Sequence, residues 1–321
     1  MSHQPSKDRQ SVRHHISMGK KDALIVVHRD PDLDAIGSAL AFSMMLDQFG
    51  TKSTIWMAGQ DMKPFLHLPH SDRLSNLLPL PGAIESIYAI DCAQLDRIKD
   101  HKDLERYTAA SMINIDHHPD NTEFGIINLV EIVSSVGELL THFFSDFVTF
   151  TPEMAECLYR AIIFDTGRFQ HSSVTAQTLL CAAKLVEAGA NPNLLAEELF
   201  CSNDKTYFST IGRGLEKFTI NEELGYAYTI IPNCDQSEGY EMIDFIRTLK
   251  GVEVFLVFRE LPNRLIKVNL RSRSFFDVSQ FSHQFGGGGH KKASGIAQKG
   301  DLMTITNTVI AQLENELRKA R

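Results

Sequence analysis

The sequence predicts an α/β protein: a doubly wound, mostly parallel sheet joined by a helical linker to a second, smaller α+β domain. Two patterns lead to this prediction. As far as about residue 190, short apolar runs alternate with segments of helical periodicity, which is typical of βαβ units. After about residue 220 the pattern changes to mainly β-like runs. A length of 321 residues also favours two hydrophobic cores over one.

The first domain is predicted for residues 21–190. Its first strand is a continuous apolar run that ends at a polar cluster, and a helical segment follows. Thr151 and Pro152 are typical of a helix start, and Gly189 is typical of a helix end. The predicted strands are residues 23–27, 53–57, 84–90 and 112–115, and the predicted helices are residues 35–49, 135–144, 152–164 and 175–188.

A helical linker is predicted for residues 191–220, and the second domain for residues 221–321. In that domain, β-like runs cover residues 226–231, 252–258, 265–270 and 295–297, and helical patterns cover residues 239–249 and 302–319. Residues 1–20 are polar and lack the apolar region of a signal peptide, so they are interpreted as a flexible N-terminal lead. No apolar run approaches the roughly 20 residues that span a bilayer, so no membrane association is expected.

Charge is distributed unevenly along the chain. The net charge of −8 argues against a protein that coats DNA nonspecifically. Residues 259–299 nevertheless carry eight Lys and Arg against two acids, a local charge of +6. An acidic first half and a basic second segment suit a polyanionic substrate held over metal ions. The five cysteines form no CxxC pair and are interpreted as core residues, which favours a reducing cytoplasmic location.

Acidic and imidazole side chains follow the predicted strand ends, where open α/β sheets bind ligands. They are expected to converge at one edge of the sheet. Because they offer oxygen and nitrogen without thiolate, they favour manganese, with magnesium or iron as alternatives. Four carboxylates would balance two divalent cations, and without metal they would repel one another, so metal should stabilise the fold. The predicted metal ligands are His28, Asp32, Asp34, Asp91, His117 and Asp165.

Five motifs together resemble the DHH family of RecJ-like phosphoesterases over nearly the whole chain after residue 20. They are HRDPDLDAIGSA (28–39), AIDCAQ (89–94), NIDHHPDN (114–121), FDTGRF (164–169) and FGGGGHKKASG (285–295). Within the family, the sequence looks most like the stand-alone bacterial oligoribonucleases, or nanoRNases, which also remove a phosphate from 3′-phosphoadenosine 5′-phosphate. Leu33 and Gln170 depart from the usual pattern, which has glycine and arginine at these positions.

The resemblance implies a role for each ligand. One metal would be bound by His28 and Asp32, and the other by Asp34, His117 and Asp165. Asp91 would bridge the two metals. A water held between them becomes hydroxide near neutral pH and attacks phosphorus in line.

The resemblance implies a catalytic set of three residues, which are Asp91 and two others, Asp116 and His118. Asp116 would orient a neighbouring side chain. His118 would contact the phosphate or help the leaving oxygen depart.

The glycine run is the other unusual feature. Residues 286–289 are four consecutive glycines, whose freedom to adopt positive φ suggests a loop in which successive amides form an anion-binding nest. By resemblance, Arg271 would grip a phosphate with two parallel donors. Phe275 and Phe276 could stack on a base, but core packing is the favoured prediction for both. The predicted substrate-binding residues are Arg271, Gly287, Gly288, Gly289 and His290.

The leading interpretation is therefore a two-metal phosphodiesterase that hydrolyses short oligonucleotides to mononucleotides and dephosphorylates 3′-phosphoadenosine 5′-phosphate. A basic small domain over the metal site would leave a short groove, which limits substrates to a few nucleotides. The expected partners are short single-stranded RNA or DNA and small nucleotides, and the sequence also allows a homodimer. Three alternatives stay open: a phosphodiesterase for cyclic di-AMP or pApA, a manganese pyrophosphatase, and a catalytically silent nucleotide-binding regulator.

Overall fold

The computed structural model describes residues 7–19, 22–202, 204–235, 239 and 242–319. The chain forms two compact units, Met1–Leu199 and Phe200–Arg321. The division falls inside residues 191–220, the range predicted as a helical linker. No helix in the described part of the chain is long and apolar enough to cross a membrane.

The first unit contains a six-stranded sheet in which every described pairing is parallel. Its strands are β1 (Asp22–Val27), β2 (Ser53–Trp56), β3 (Leu74–Ser75), β4 (Ile84–Ile90), β5 (Ser111–Asp116) and β6 (Ile127–Val130). Its helices are α1 (Lys7–Met18), α2 (Leu33–Gln48), α3 (Val136–Phe144), α4 (Pro152–Asp165), α5 (Ala176–Glu187) and α6 (Pro192–Phe200).

The strand order in this sheet is β3-β2-β1-β4-β5-β6. The chain therefore winds outwards in one direction from β1 and in the opposite direction from β4, which confirms the predicted doubly wound α/β class. In β1 five successive residues are buried, as expected of a parallel strand covered on both faces. Because the order reverses between β1 and β4, the carboxyl ends of these two strands form a crevice suited to ligands.

The second unit contains a mixed sheet of six strands in the order β11-β12-β10-β9-β8-β7, in which only β8 and β9 pair in parallel within the described residues. The strands are β7 (Thr219–Asn221), β8 (Tyr226–Ile231), β9 (Val254–Leu261), β10 (Leu265–Ser272), β11 (Gly288–His290) and β12 (Ala293–Lys299). The helices are α7 (Lys205–Glu216), α8 (Met242–Ile246), α9 (Val278–His283) and α10 (Leu302–Lys319).

Each face of the second sheet has its own hydrophobic core. On one face, Val268 and Leu270 pack with residues of α9 and α10, including Val309. On the other, Phe255 and Val257 pack with residues of α8, and the partly buried Ile211 of α7 joins them. This arrangement makes the second unit the predicted α+β domain.

The interpretation of residues 1–20 as a flexible lead is wrong for the part that forms α1. Val12 and Ile16 are buried, and the Arg9 guanidinium binds the Glu131 carboxylate. The His15 ring is 2.8 Å from the Ser86 hydroxyl. One apolar stripe at a spacing of four residues is enough to dock a helix whose composition is mostly polar. Residues 1–6 and 20 lie outside the described part of the chain.

Other parts of the structure also differ from the predictions. The helical pattern at residues 239–249 yields only α8, while residues 240 and 241 lie outside the described part. The predicted helical linker, residues 191–220, contains two separate helices, since α6 ends at Phe200 and Asp204 caps the start of α7. Strands β3, β6, β7 and β11 were not predicted. Each has two to four residues, too few to show a periodic pattern.

Candidate metal centre

The six predicted ligands reach the crevice of the first sheet from separate segments. His28 follows β1, Asp91 follows β4 and His117 follows β5, while the other three lie on α2, its N-cap and α4. Their ligand atoms form overlapping groups in which all atoms lie within 4.8 Å of one another. The groups are His28 with Asp32 and Asp91; Asp34 with His117 and Asp165; and Asp91 with His117 and His118.

Asp91 lies at the centre of this arrangement. Its Oδ2 is 3.5 Å from His28 Nε2, and its Oδ1 is 3.5 Å from His117 Nε2. The two oxygens of one carboxylate thus approach two different ligand groups. The backbone at Asp91 has φ 56°, and its N–H donates to the carbonyl of Ile115 at 3.0 Å. A left-handed backbone conformation is costly for a residue other than glycine, and strained residues of this kind cluster at functional sites.

The Asp91 Oδ1 atom tests whether these residues fit a metal ion. It is buried and accepts no hydrogen bond from the described residues. Buried carboxylate oxygens are nearly always paired, so an unpaired one needs a ligand or ion to explain it. Two ligands on one ion, each bonded at about 2.1 Å, lie about 3.0 to 3.5 Å apart. The separations around Asp91 are close to that range, so the residues fit a divalent cation.

The first ligand group is fixed by local backbone structure. Asp32 caps the N-terminus of α2, where its Oδ1 accepts hydrogen bonds from the N–H groups of Asp34 at 2.9 Å and Ala35 at 3.0 Å. His28 Nδ1 donates to the carbonyl of Arg29 at 2.7 Å. That bond sets the ring tautomer, so Nε2 presents a lone pair to a metal on the side of Asp91.

The second group joins α2 to α3 and α4. Asp34 is fully buried, and its carboxylate accepts hydrogen bonds from the N–H groups of Val136 at 2.8 Å and Gly137 at 3.0 Å, at the start of α3. A Cβ at Gly137 would lie 2.6 Å from the Cβ of Ala161, so glycine is needed for α3 to approach α4. Since α4 carries Asp165, this close packing helps to set the position of that carboxylate relative to Asp34.

His117 connects the carboxylates of this group. Its Nε2 is 3.5 Å from Asp165 Oδ2 and 3.8 Å from Asp34 Oδ2. Its Nδ1 donates to the carbonyl of Val133 at 3.1 Å. The ring is therefore held on its far side by the backbone, as the histidine ligands of metals usually are.

Asp116 is hydrogen-bonded to its neighbour His118. The Asp116 side chain is fully buried, and its Oδ1 accepts from His118 Nδ1 at 2.8 Å. Its Oδ2 accepts from Asn121 Nδ2, which is also 2.7 Å from the amide oxygen of Asn114. The prediction did not include the two asparagines. The available sequence signal was a polar residue, Asn114, inside the otherwise apolar predicted strand 112–115; in the structure it is fully buried.

Without a cation, the carboxylates of the centre resist ionisation. Burial, with the nearby charge of Asp91, raises the pKa of Asp34 to about 8. Burial and neighbouring carboxylates also raise the pKa of Asp32 and of Asp165. Two divalent cations would relieve this repulsion and displace the protons.

Asp91 and the histidines behave in the opposite sense. Burial opposes the ionisation of Asp91, but the nearby positively charged His117 and His28 rings hold its pKa well below its usual range. Burial likewise opposes a charge on His28, and Asp91 overcomes that effect and raises the pKa of His28 to about 9. The metal-free centre therefore keeps a charged Asp91 between protonated histidines.

The predicted substrate-binding residues lie together in the second unit. Arg271 on β10 and His290 on β11 both pair with Ala293 of β12, so the three form one row across the sheet. With strands about 4.8 Å apart, Arg271 and His290 have Cα atoms about 10 Å apart. Gly288 pairs with Gly295 in the next row on the same face.

The predicted anion-binding nest is wrong. The N–H groups of Gly286 and Gly287 donate to the carbonyls of His283 at 3.1 Å and Ser282 at 2.9 Å, and so end α9. The following glycines lie in β11, where successive amides point in opposite directions. A Cβ at Gly287 would lie 2.2 Å from the carbonyl oxygen of Gly295. Glycine is thus required there for close strand packing.

Phe275 and Phe276 have different environments. Phe276 is buried in the core, as expected, but Phe275 is 55% exposed, so the prediction of core packing is wrong for Phe275. The Glu253 carboxylate accepts hydrogen bonds from the N–H groups of Ser274, Phe275 and Phe276 at 2.8 to 3.1 Å. This carboxylate fixes a turn that places one phenylalanine inside and one outside.

Comparisons with known proteins agree with the two units. Residues 22–162 match the model of the DHH family, N-terminal domain, and residues 223–315 match the DHHA1 domain. The chain is 31% identical over 307 residues to the bifunctional oligoribonuclease and PAP phosphatase NrnA of Thermus thermophilus, covering 92% of this chain and 90% of that one. It is 26% identical to the protein of the same name from Bacillus subtilis, covering 85% of this chain and 88% of that one.

Solved structures show the same fold. An exopolyphosphatase-related protein from Bacteroides fragilis matches with a TM-score of 0.85 and 21% identity, covering 99% of this chain and all of that one. RecJ from Thermus thermophilus, in complex with Mn²⁺, matches with a TM-score of 0.52 and 12% identity, covering 99% of this chain and 56% of that one. The family resemblance predicted from the motifs is confirmed: the chain belongs to the DHH family.

Proposed function

We propose that the protein is a two-metal phosphodiesterase that hydrolyses short oligonucleotides to mononucleotides and removes a phosphate from 3′-phosphoadenosine 5′-phosphate. The observation that carries this proposal is the geometry of Asp91, whose two oxygens approach two separate ligand groups. Relatives that are similar over most of their length are named bifunctional oligoribonuclease and PAP phosphatase, which supports the choice of substrate class.

The ligand sets assign the two metals. His28 and Asp32 would hold one, the group of Asp34, His117 and Asp165 would hold the other, and Asp91 would lie between them. The nitrogen and oxygen donors suit manganese, with magnesium as the alternative, and the RecJ of Thermus thermophilus has been solved with Mn²⁺. When bound, the metals would supply a hydroxide nucleophile and stabilise charge on the phosphoryl oxygens.

His118 is the proposed proton donor to the leaving oxygen. Burial disfavours its charged form, but the hydrogen bond to Asp116 prevails and raises the pKa of His118. The same bond fixes the ring orientation. The side chain is 26% exposed, so a substrate can reach it. An imidazolium held in one orientation is suited to protonate an alkoxide as the phosphorus–oxygen bond breaks.

Substrate contacts are assigned to the second unit. We propose that the Arg271 guanidinium grips a phosphate, with His290 and the adjacent backbone of Gly287, Gly288 and Gly289 as further contacts. The row formed by Arg271, Ala293 and His290 supports this assignment, since it brings two cationic or hydrogen-bonding side chains to one face. A preference for substrates of a few nucleotides is part of the proposal. All five cysteines are free thiols, which supports a reducing cytoplasmic location.

A manganese-supplemented substrate panel tests the function. It compares di- to pentanucleotides, a 50-nucleotide RNA, 3′-phosphoadenosine 5′-phosphate, cyclic di-AMP and pyrophosphate by the rate of product release. We expect fast turnover of the short RNAs and of the bisphosphate. Equal rates on the five-nucleotide and 50-nucleotide RNAs would contradict the size preference, and exclusive turnover of cyclic di-AMP or pyrophosphate would select those alternatives.

A single-turnover measurement separates an enzyme from a silent regulator. With protein in excess over labelled dinucleotide and manganese present, the proposal requires product at a rate set by chemistry. Tight binding of the dinucleotide without product would favour the regulator.

A further inference from the structure

Strand β10 has one apolar face and one polar face. Ile266, Val268 and Leu270 point into a hydrophobic core. Lys267, Asn269 and Arg271 alternate with them and are each partly buried on the other face. The strand therefore presents three polar side chains in a row at a spacing of two residues.

The neighbouring strand β12 has small residues on that same polar face. Lys267 pairs with Ala297, Asn269 with Gly295, and Arg271 with Ala293. These small residues leave a strip of low side-chain volume along β12 beside the polar row, which is called the trough. Lys267, Asn269 and Arg271 line one side of it, and Gly288 and His290 of β11 line the other.

The glycine in the floor of this trough is not required by the fold. A Cβ at Gly295 would meet only the carbonyl oxygen of Val268, at an ordinary van der Waals distance of 3.7 Å. Gly295 is also absent from the positive-φ glycines. Unlike Gly287, it leaves space that the protein itself does not need.

Two buried polar atoms border this space without partners. Asn269 Oδ1 and Arg271 Nε are both inaccessible to solvent, and neither has a hydrogen bond within the described residues. The remainder of the Arg271 side chain is anchored, since Nη1 donates to the carbonyl of Leu270 at 3.1 Å. Buried polar groups are rarely unpaired, and two on neighbouring residues of one face indicate a ligand.

We propose that Asn269 accepts a hydrogen bond from the nucleoside part of the substrate while Arg271 binds its phosphate. The amide oxygen is an acceptor, and so are the oxygens of a phosphate, so these groups cannot pair. A nucleoside offers donors of two kinds, an exocyclic amino group on the base and the ribose hydroxyls. Asn269 is thus a specificity residue for one of these donors, an assignment that rests on the proposed nucleotide substrate.

Nucleotide binding to the manganese-loaded protein tests the proposal directly. Titration calorimetry would compare 5′-AMP with its purine analogue lacking the 6-amino group and with its 2′-deoxy and 3′-deoxy analogues. We expect the wild type to bind one analogue about tenfold more weakly than 5′-AMP, the usual effect of leaving a buried acceptor unpaired. In Asn269→Ala this difference should fall to within about twofold, and the analogue concerned identifies the donor.

The matched control is Gln298→Ala, which removes an amide from the opposite face of the same sheet. It should keep the wild-type preference. If 5′-AMP does not bind, or if Asn269→Ala discriminates as the wild type does, the proposal is wrong. Failure of the proposed function has a separate signature, because it would show as absent turnover of dinucleotides even where 5′-AMP binds.

A second pair of variants tests the trough itself. Gly295→Val would fill the space beside Asn269, and we expect it to weaken 5′-AMP binding by tenfold or more. Lys299→Val places the same side chain at an exposed position on β12, beyond the polar row of β10, and should bind 5′-AMP normally. Equal binding by the two variants would contradict the location.

Thermal unfolding distinguishes binding from a structural role. Because Asn269 Oδ1 has no partner to lose, Asn269→Ala should have a melting temperature in the absence of nucleotide equal to or above that of the wild type. A loss of several degrees would show that Asn269 serves the fold and would contradict the proposal. Gln298→Ala, which loses a bond to the carbonyl of Phe285 at 3.3 Å, should be slightly destabilised.

Discussion

The metal centre of the first unit and the polar face of β10 in the second unit solve different recognition problems. In the metal centre, four of the ligand side chains are fixed by hydrogen bonds to the backbone. Backbone carbonyls accept from His28 and His117, and backbone N–H groups donate to Asp32 and Asp34. On the polar face of β10, Asn269 and Arg271 keep buried atoms unpaired beside the small residues of β12.

This contrast reflects the ligand that each site takes. A metal ion has no shape of its own, so the protein must fix the donor atoms around it in advance. A nucleotide brings its own hydrogen-bond donors and acceptors, so the protein can leave complementary groups unpaired until the nucleotide binds. A wrong ligand leaves those groups unpaired, and this energetic cost gives the selectivity. Mutations in the two regions should therefore differ in kind, the first affecting metal content and the second affecting affinity and selectivity.

The largest expected effect is on the metal side. Asp91→Asn keeps the size of the side chain and tolerates positive φ, but it removes the charge that both ligand groups share. We expect kcat to fall by about a thousandfold or more, together with a loss of bound manganese measured by mass spectrometry. Asp96→Ala, at an exposed position on the same loop, is the control. Near-normal turnover by Asp91→Asn would overturn the bridging assignment.

On the substrate side, Arg271→Lys should have a smaller effect and a different signature. Lysine keeps the positive charge but cannot form two parallel hydrogen bonds to a phosphate. We expect KM for a dinucleotide to rise about tenfold with the manganese content unchanged. Lys299→Ala, at an exposed position on β12, should leave both quantities as they are. A loss of metal in Arg271→Lys would contradict the separation of the two regions.

Removal of metal should make stability depend on pH. The pKa of Asp34 is raised to about 8 and that of His28 to about 9, so each group binds protons more tightly in the folded protein than in the unfolded chain. Their stabilisation is complete below the unfolded pKa values and is lost as pH rises through the folded ones. After chelation, the melting temperature should therefore fall between about pH 4, where Asp34 begins to contribute, and about pH 9, where the loss from His28 is nearly complete.

Manganese should reverse that fall, because it binds the deprotonated carboxylates and neutral imidazoles. Differential scanning calorimetry with and without excess chelator measures both curves. The metal-induced rise in melting temperature should grow with pH across this window. An unchanged melting temperature after exhaustive chelation at pH 8 would contradict the predicted role of metal in the fold.

The smallest expected effect comes from a substitution in α1, outside both the metal centre and the polar face of β10. Val12 is fully buried on α1, and Val12→Ala should lower the free energy of unfolding by about 1 kcal/mol while kcat and KM stay constant. Gln10→Ala on the exposed side of α1 should change neither stability nor kinetics. If Val12→Ala proved as stable as the wild type, the docking of α1 would not contribute to stability as the structure indicates.

Topology explains why the metal ligands could be predicted from the sequence. His28 follows a continuous apolar run and Asp91 follows a largely apolar strand, and parallel strands must bring their carboxyl ends to one edge. Topology does not predict the contact made by Asn121, because that contact is a hydrogen bond to Asp116 across a turn. Residues 7–18 were misinterpreted because their few apolar residues, of which only Val12 and Ile16 are buried, give too weak a pattern to outweigh a polar composition.

The second unit was harder to predict, since its details depend on pairing between strands. The glycines of β11 have little β-propensity, and the strand exists because β12 supplies hydrogen-bond partners. The nest was predicted from the freedom of those glycines, but the first two amides are used to end α9. Asn269 was overlooked because alternation shows that a strand has a polar face without showing whether water or a ligand covers it.

The bonds from Val136 and Gly137 to Asp34 have a further consequence. They connect the charge of a buried carboxylate to the first amides of a helix. When Asp34 is protonated these amides face a weaker acceptor, and when it is ionised beside a cation they face a stronger one. The hydrogen–deuterium exchange rates of two backbone amides should therefore report the state of the metal centre, and could be followed without any substrate.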